Sequence, residues 1–127
     1  MVNKVGKGKR LEKLFRDTLK KCYPSCMTEL KPMLRFMPKD FWALFDGLTF
    51  FPAKKKYLFW QTKSNKLTPK ERAHFWSLAK KFQAPNIQIL LIEKQNTGLL
   101  MSQNVKNIHL VPMSTTGIKK FLNEILE

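Results

Sequence analysis

Apolar side chains recur at helical spacing near the start of the chain. Over residues 8–22 they form one stripe, and the basic side chains occupy the other faces. The stripe consists of Leu11, Leu14, Phe15 and Leu19. This pattern predicts an amphipathic helix, which ends at Pro24 because proline cannot continue it.

Two more segments show the same spacing. Residues 68–82 begin with Thr68, Pro69 and Glu71, which supply an N-cap, a first helical residue and a capping-box acid. Residues 116–126 carry an apolar face near the end of the chain. Both segments are therefore predicted to be helices.

The predicted strands are apolar or aromatic runs. Residues 45–51 and 56–63 flank a turn that contains Pro52, which indicates a β-hairpin. Because apolar residues fill both faces of this hairpin, we expect it to be central in its sheet and covered on both sides. Three further strands are predicted, at residues 30–37, 87–93 and 107–112.

The predicted order is helix, three strands, helix, two strands, helix. The passage from the strand at 57–63 through the helix at 68–82 to the strand at 87–93 favours a parallel crossover. A chain of 127 residues suits one compact domain. The expected fold class is thus a single α/β domain, residues 1–127, with a central mixed sheet flanked by helices.

Positive charge is the strongest feature of the composition. The formal net charge is +15, and two blocks contain nearly all of it. Residues 1–21 hold eight basic and two acidic residues, and residues 53–81 hold nine basic and one acidic residue. Such a field attracts polyanions, so nucleic acid is the first candidate partner and an anionic membrane surface the second.

Other features give weaker indications. Cys22 and Cys26 lack two further ligands at zinc-site spacing, so we interpret them as ordinary small side chains. The apolar runs are too short to span a bilayer. Residues 1–10 contain no apolar segment typical of a secretory signal, so the expected location is the cytoplasm, with no membrane partner.

Polar residues at the open end of the hairpin carry the candidate chemistry. Gln61 and Lys63 are two positions apart on one strand, so they share a face at about 6.5–7 Å. Asp46 begins the partner strand and is expected beside Gln61. We therefore expect a carboxylate, an amide oxygen and an ammonium group to converge at one end of the sheet.

The spacing of these residues resembles a known nuclease motif. The order of Asp46 and, after fourteen residues, Gln61-Thr62-Lys63 resembles the core motif of the PD-(D/E)XK nucleases. Glu12, in the basic segment 7–12, resembles the glutamate in the first helix of archaeal-type Holliday junction resolvases. The resemblance extends over residues 7–112 and implies a restriction endonuclease-like fold in the order αβββαββα.

The resemblance implies a catalytic site and a cofactor. Its catalytic residues would be Asp46, Gln61, Lys63 and Glu12. Asp46, Gln61 and Glu12 would hold Mg²⁺, for which Mn²⁺ can substitute, and Lys63 would position water or stabilise negative charge. The implied DNA-binding residues are Lys7, Lys9, Arg10, Ser64 and Lys66. The function implied is a metal-dependent DNA endonuclease that acts on branched or duplex DNA as a homodimer, as the structure-specific Holliday junction resolvases do.

Two positions depart from the family pattern. Gln61 stands where the family usually has an acid, and Phe45 stands where a proline usually precedes the aspartate. A carboxamide can bind a hard cation only through a neutral oxygen, so metal binding would be weaker. The missing acid at position 61 favours the alternative function, a non-catalytic nucleic-acid-binding protein on the same fold.

Simpler interpretations exist for most of these residues. Asp46 before Gly47 could be a turn acid. Gln61 and Lys63 could mark the solvated end of a strand, and Glu12 could pair with Arg16 on a helix surface. Glu71 could be a capping residue or a replacement acid. Three aromatic residues could stack on bases or pack in the core: Trp42, Phe45 and Trp60.

Overall fold

The computed structural model describes residues 4–31, 33–34, 37–38, 41–42 and 44–127, with backbone alone for 4–9, 33–34 and 37–38. The elements of this part are α1 (Lys4–Cys22), β1 (Met27–Leu30), β2 (Met33–Leu34), β3 (Met37–Pro38), β4 (Gly47–Phe51), β5 (Lys56–Lys63), α2 (Pro69–Ala79), β6 (Ile87–Gln95), β7 (Gly98–Ser102), β8 (Ile108–Val111) and α3 (Thr115–Ile125). None of these helices combines the length and apolarity needed to cross a membrane.

Six strands form one mixed sheet in the order β1-β4-β5-β6-β7-β8. β5 and β6 run parallel, with Tyr57 opposite Ile87 and Lys63 opposite Glu93, and the other neighbours are antiparallel. The chain passes from β5 to β6 through α2, so the predicted parallel crossover is confirmed. β2 and β3 pair with each other outside this sheet.

Helices cover the sheet on both faces. The face formed in part by Leu58 and Trp60 packs against α1 and α3, and we call it the α1 face. The opposite face, to which Phe59 and Leu91 belong, packs against α2, and we call it the α2 face. The predicted α/β class and the central, doubly covered position of β5 are therefore confirmed.

The N-terminus of α2 is fixed by the capping box that the sequence predicts. The Thr68 hydroxyl accepts a hydrogen bond from the Glu71 amide at 3.1 Å, and the Glu71 carboxylate accepts one from the Thr68 amide at 3.0 Å. Hydrogen bonding of the Glu71 carboxylate to the Thr68 amide, and to a smaller extent to the Thr68 side chain, lowers the pKa of Glu71. The interpretation of Glu71 as a capping residue is confirmed.

Some element boundaries differ from the sequence-based ones. α1 begins at Lys4, four residues before the predicted start. The strand predicted at residues 30–37 is wrong, because β1 ends at Leu30 and a separate short hairpin follows; residues 32, 35 and 36 lie outside the described part. The order αβββαββα also omits β7, which forms an antiparallel hairpin with β6.

The two cysteines lie at the end of α1. Both are buried and neither forms a disulfide. Burial raises the pKa of both thiols, and the Cys22 thiol donates to the carbonyl of Thr115 at 3.6 Å. Because burial favours the unreactive protonated form, the structure agrees with their interpretation as packing residues.

Candidate functional site

Asp46 lies where β4 begins, and an irregular pairing sets its orientation. The register partner of Trp60 is Gly47, yet the Asp46 amide also donates to the Trp60 carbonyl, at 2.9 Å. Asp46 and Gly47 thus both lie opposite Trp60, as in a β-bulge. A bulge changes the direction in which the side chain of its first residue points. A Cβ on Gly47 would lie 2.2 Å from the Trp60 ring, so this position requires glycine.

Two carboxylates and one ammonium group form a polar cluster on the α1 face. Lys31 Nζ lies 2.8 Å from Asp46 Oδ1 and 2.9 Å from Glu12 Oε1. Asp46 is 2% exposed and Glu12 is 8% exposed. Residues from α1, from the end of β1 and from the start of β4 therefore meet at one buried point.

Thr62 fixes the second oxygen of Asp46. Asp46 Oδ2 accepts from the Thr62 amide at 2.7 Å and from the Thr62 hydroxyl at 2.9 Å. The hydrogen bond from the Thr62 amide takes the place of a backbone hydrogen bond between β4 and β5 that the irregular pairing interrupts. Asp46 is therefore held rigidly, with Oδ1 directed at Lys31 and Oδ2 directed at β5.

The structure does not bring Gln61 and Lys63 to this cluster. Side chains alternate along β5, so both residues point to the α2 face, away from Thr62. There they border a groove of about 510 Å³ that His74 and Phe75 also line. The expected convergence of Asp46, Gln61 and Lys63 is therefore wrong. Glu12, which the resemblance groups with Asp46, does lie close to it, since both carboxylates contact Lys31.

The groove on the α2 face contains an unsatisfied acceptor. Gln61 is buried, and its Oε1 accepts no hydrogen bond from the described residues. The expected shared metal shell of Asp46, Gln61 and Glu12 is therefore not formed, because Gln61 faces the other side of the sheet. A neutral oxygen without a second hard ligand beside it is a weak site for a divalent cation.

A buried ion pair closes the same end of the α2 face. Arg72 Nε donates to Glu93 Oε2 at 2.8 Å, and Arg72 Nη2 donates to Glu93 Oε1 at 2.7 Å. The Leu67 amide also donates to Glu93 Oε1, at 2.7 Å. The hydrogen bonds that Arg72 donates to Glu93 raise the pKa of Arg72. This pair fixes the start of α2 against the end of β6, next to Lys63.

The expected DNA-binding residues lie at the same end of the molecule as the cluster or on α1. Arg10 is exposed on α1, two residues before Glu12, and Lys66 is exposed in the loop after β5. Ser64 is half-buried directly after Lys63. Lys7 and Lys9 belong to α1, and their side chains lie outside the described part.

Sequence reasoning missed two members of the cluster. Lys31 follows a short edge strand whose end the apolar pattern does not define, so its pairing with Glu12 and Asp46 could not be inferred. Thr62 was passed over because it points opposite to its neighbours Gln61 and Lys63. The one usable indication was Gly47, since a glycine inside a strand often marks a bulge.

The donor set of the cluster fits a hard divalent cation. Both carboxylates already contact one cation, the Lys31 ammonium, so their oxygens converge on a common position. No group of three or more His, Cys, Asp or Glu side chains in the described part is arranged to hold a metal. Two carboxylates suffice for Mg²⁺, which commonly binds one or two of them together with substrate phosphates.

Replacing Lys31 by methionine tests this fit. Lys31→Met leaves Glu12 and Asp46 without their shared ammonium, so we expect the variant to bind Mn²⁺ or Mg²⁺ more tightly than the unaltered protein. At a tenfold excess of Mn²⁺ over its Kd, binding contributes about 1.4 kcal/mol to the free energy of unfolding. Thermal unfolding with and without Mn²⁺ measures this gain.

The control for that measurement is Lys13→Met, which removes an exposed lysine of α1. It should respond to Mn²⁺ as the unaltered protein does. The double variant Lys31→Met with Asp46→Asn should lose the gain. If Lys31→Met alone shows no Mn²⁺-dependent stabilisation, the two carboxylates do not form a cation site.

Comparisons with known proteins add no assignment. No family model, no curated protein and no solved structure matches the chain. The features that bear on function are therefore the geometry of the cluster, the fold and the charge.

Proposed function

We propose that this protein is a metal-dependent DNA endonuclease with a restriction endonuclease-like architecture. One observation carries the proposal: Glu12 and Asp46, far apart in sequence, are both buried, and an oxygen of each contacts the Lys31 ammonium group. Burying two carboxylates side by side costs free energy, so their placement favours a functional role over a structural one.

The order of the elements supports the proposal. A basic helix precedes three strands that pair antiparallel as β1-β4-β5, and α2 then crosses to the parallel strand β6. This is the arrangement that the resemblance to PD-(D/E)XK nucleases implies. β7, β8 and α3 extend the sheet and cover its α1 face.

Each residue of the cluster has a definite task in this proposal. Glu12 and Asp46 would hold Mg²⁺ or Mn²⁺, which when bound polarises a phosphate and acidifies a water. Thr62 keeps the Asp46 carboxylate in one orientation through two hydrogen bonds. Among the described residues, Lys31 places its ammonium group against both carboxylates, so in this proposal it takes the charge-stabilising role that the resemblance assigns to Lys63.

The charge of the molecule fits a DNA substrate. Arg10, with Lys7 and Lys9 from the same helix, would neutralise phosphates beside Glu12, while Lys66 and Ser64 would contact the backbone beyond β5. We keep the homodimer as part of the proposal, because cutting two strands symmetrically requires two sites. β8 is an edge strand with an exposed Leu110, which makes it a candidate contact between copies.

The second candidate is a nucleic-acid-binding protein without catalysis. Two observations favour it: the Lys31 ammonium already neutralises part of the charge of the carboxylates, and Gln61 carries no charge where the family usually has an acid. The net charge of +15 would then account for binding alone.

A cleavage assay distinguishes the two functions. End-labelled linear duplexes and four-way junctions are incubated with the protein in Mg²⁺, in Mn²⁺ or in EDTA, and nicks are measured on denaturing gels. We expect nicks with either metal and none in EDTA. Tight binding to both substrates without metal-dependent nicks would reject the endonuclease and support the second candidate.

A further inference from the structure

A row of five aromatic rings crosses the α2 face, at the hairpin end of β4 and β5. We call it the aromatic row, and it consists of Phe82, Trp42, Phe59, Tyr57 and Phe50. Consecutive ring centroids are 5.3, 5.7, 6.5 and 4.7 Å apart. Trp42 is 60% exposed and Tyr57 is 40% exposed. A groove of about 460 Å³ runs beside these rings, lined also by Met27 and Ile87.

Trp42 is the most exposed ring of the row, and its surroundings hold it in place. Its backbone φ is +52°, a left-handed conformation that is costly for a bulky residue and persists only where other contacts fix it. One side of the indole packs on Phe59 and Phe82 at interplanar angles of 36° and 35°. The outward side remains open to solvent. A large apolar ring fixed and exposed in this way is typical of a binding surface.

The charges around the row determine what it can bind. Lys81 lies over the Phe82 ring at 5.6 Å, and Lys80 is exposed beside it. Lys54 and Lys55 are exposed in the turn next to Phe50 and Tyr57. Glu29 is the acidic residue that lines the groove. Aromatic rings with lysines at both ends complement a chain of flat bases joined by phosphates, and a purely apolar partner would gain nothing from the lysines.

We propose that the aromatic row binds single-stranded nucleic acid by stacking unpaired bases on Trp42 and Tyr57, with lysines at both ends contacting phosphates. This surface is on the opposite side of the sheet from Glu12 and Asp46, so the inference goes beyond the proposed cleavage site. Stacking of bases on the aromatic row requires no metal ion. Stacking on an aromatic ring is sequence-tolerant, because every base has a flat face.

The test compares two probes of equal charge. Twelve-nucleotide oligo(dT) and an abasic dodecamer with the same number of phosphates are titrated into the intact protein in EDTA. We expect oligo(dT) to bind about tenfold more tightly, which corresponds to one stacked base. Trp60 and Trp76 are buried, so quenching of tryptophan emission by oligo(dT) reports mainly on Trp42.

Variants assign the preference to the row. Trp42→Ala should lose most of the preference for oligo(dT) over the abasic probe, and Trp42→Ala with Tyr57→Ala should bind both equally, whereas Trp42→Phe should keep most of the preference. Val105→Ala removes an exposed apolar residue from the loop between β7 and β8 and should change neither affinity. Circular dichroism checks that each variant is folded.

Three outcomes would overturn the proposal. Equal affinity of the unaltered protein for both probes would mean that phosphates alone are bound. An undiminished preference in Trp42→Ala would place base contacts elsewhere. Concentration-dependent dimerisation that Trp42→Ala abolishes, without any preference for bases, would assign the row to a second copy of the chain. Because no metal is present, none of these outcomes depends on whether the protein cleaves DNA.

Discussion

Asp46→Asn is expected to reduce metal-dependent cleavage about 100-fold or more while leaving DNA affinity nearly unchanged. The substitution removes one of the two negative charges directed at the cation position. Asparagine keeps the shape of the side chain and one acceptor oxygen, so the Thr62 amide can still be satisfied. Cleavage rates measured at saturating protein, together with binding measured in EDTA, separate loss of catalysis from loss of binding.

Three further variants show whether the loss of cleavage is specific to the cluster. Asp17→Asn removes an exposed acid from α1 and should cleave at close to the unaltered rate. Glu12→Gln should behave as Asp46→Asn does. Lys63→Met should lower the rate only a few-fold, because Lys63 faces the α2 groove.

Two results would contradict the assignment. If Asp46→Asn cleaves within about tenfold of the unaltered protein, Asp46 does not hold the metal. If Lys63→Met abolishes cleavage as completely as Asp46→Asn, the reacting phosphate must lie against the α2 face. The cluster around Lys31 would then have a structural role.

The parts of the fold that the sequence predicts well have strong local determinants. β5 spans Lys56–Lys63 as predicted, because a run of aromatic and β-branched residues is bounded by a turn and by polar residues. α2 begins after Thr68 as predicted, because its capping box is encoded in four consecutive residues. Local pattern and tertiary packing agree in both elements.

β7 was missed because it has weaker determinants. Gly98–Ser102 is a five-residue run whose first residue, Gly98, has a φ of +155° and supports a tight approach to the carbonyl of Val111. A short apolar run after a turn does not by itself distinguish a strand from a loop. Its place in the sheet depends on pairing with β6 and β8.

The candidate site was only partly predictable, for a geometric reason. The expected convergence assumed that the hairpin pairs regularly from the turn to Asp46. The irregular pairing opposite Trp60 displaces the strand by one residue, and a one-residue slip exchanges the two faces of a strand. Asp46 therefore meets Thr62 on the α1 face instead of Gln61 on the α2 face.

Contacts between distant segments were beyond the reach of the sequence. Glu12 and Asp46 were assigned to one site by resemblance, and the structure brings them together through Lys31. Arg72 and Glu93 gave no indication of pairing, since one looks like a helix-surface cation and the other like the polar end of a strand. They are neighbours only because α2 packs against β6.

Arg72→Met is expected to lower the free energy of unfolding by about 3–5 kcal/mol. Glu93 is fully buried, and two of its three hydrogen bonds come from Arg72. Methionine fills similar space without charge or donors, so the variant leaves a buried carboxylate without its cation. Urea unfolding, with the midpoint and the slope compared between variants, measures the loss.

A second substitution separates the loss of charge pairing from the loss of packing. In the double variant Arg72→Met with Glu93→Met no buried charge remains at this position, so most of the lost stability should return. Recovery should be incomplete, because the Leu67 amide and carbonyl, which contact Glu93 and Arg72, lose these partners. Lys70→Met, at an exposed position of α2 two residues before Arg72, should change stability by no more than about 0.5 kcal/mol. A loss below about 1 kcal/mol in Arg72→Met would show that the pair contributes little, and an equal loss in the double variant would attribute the effect to packing.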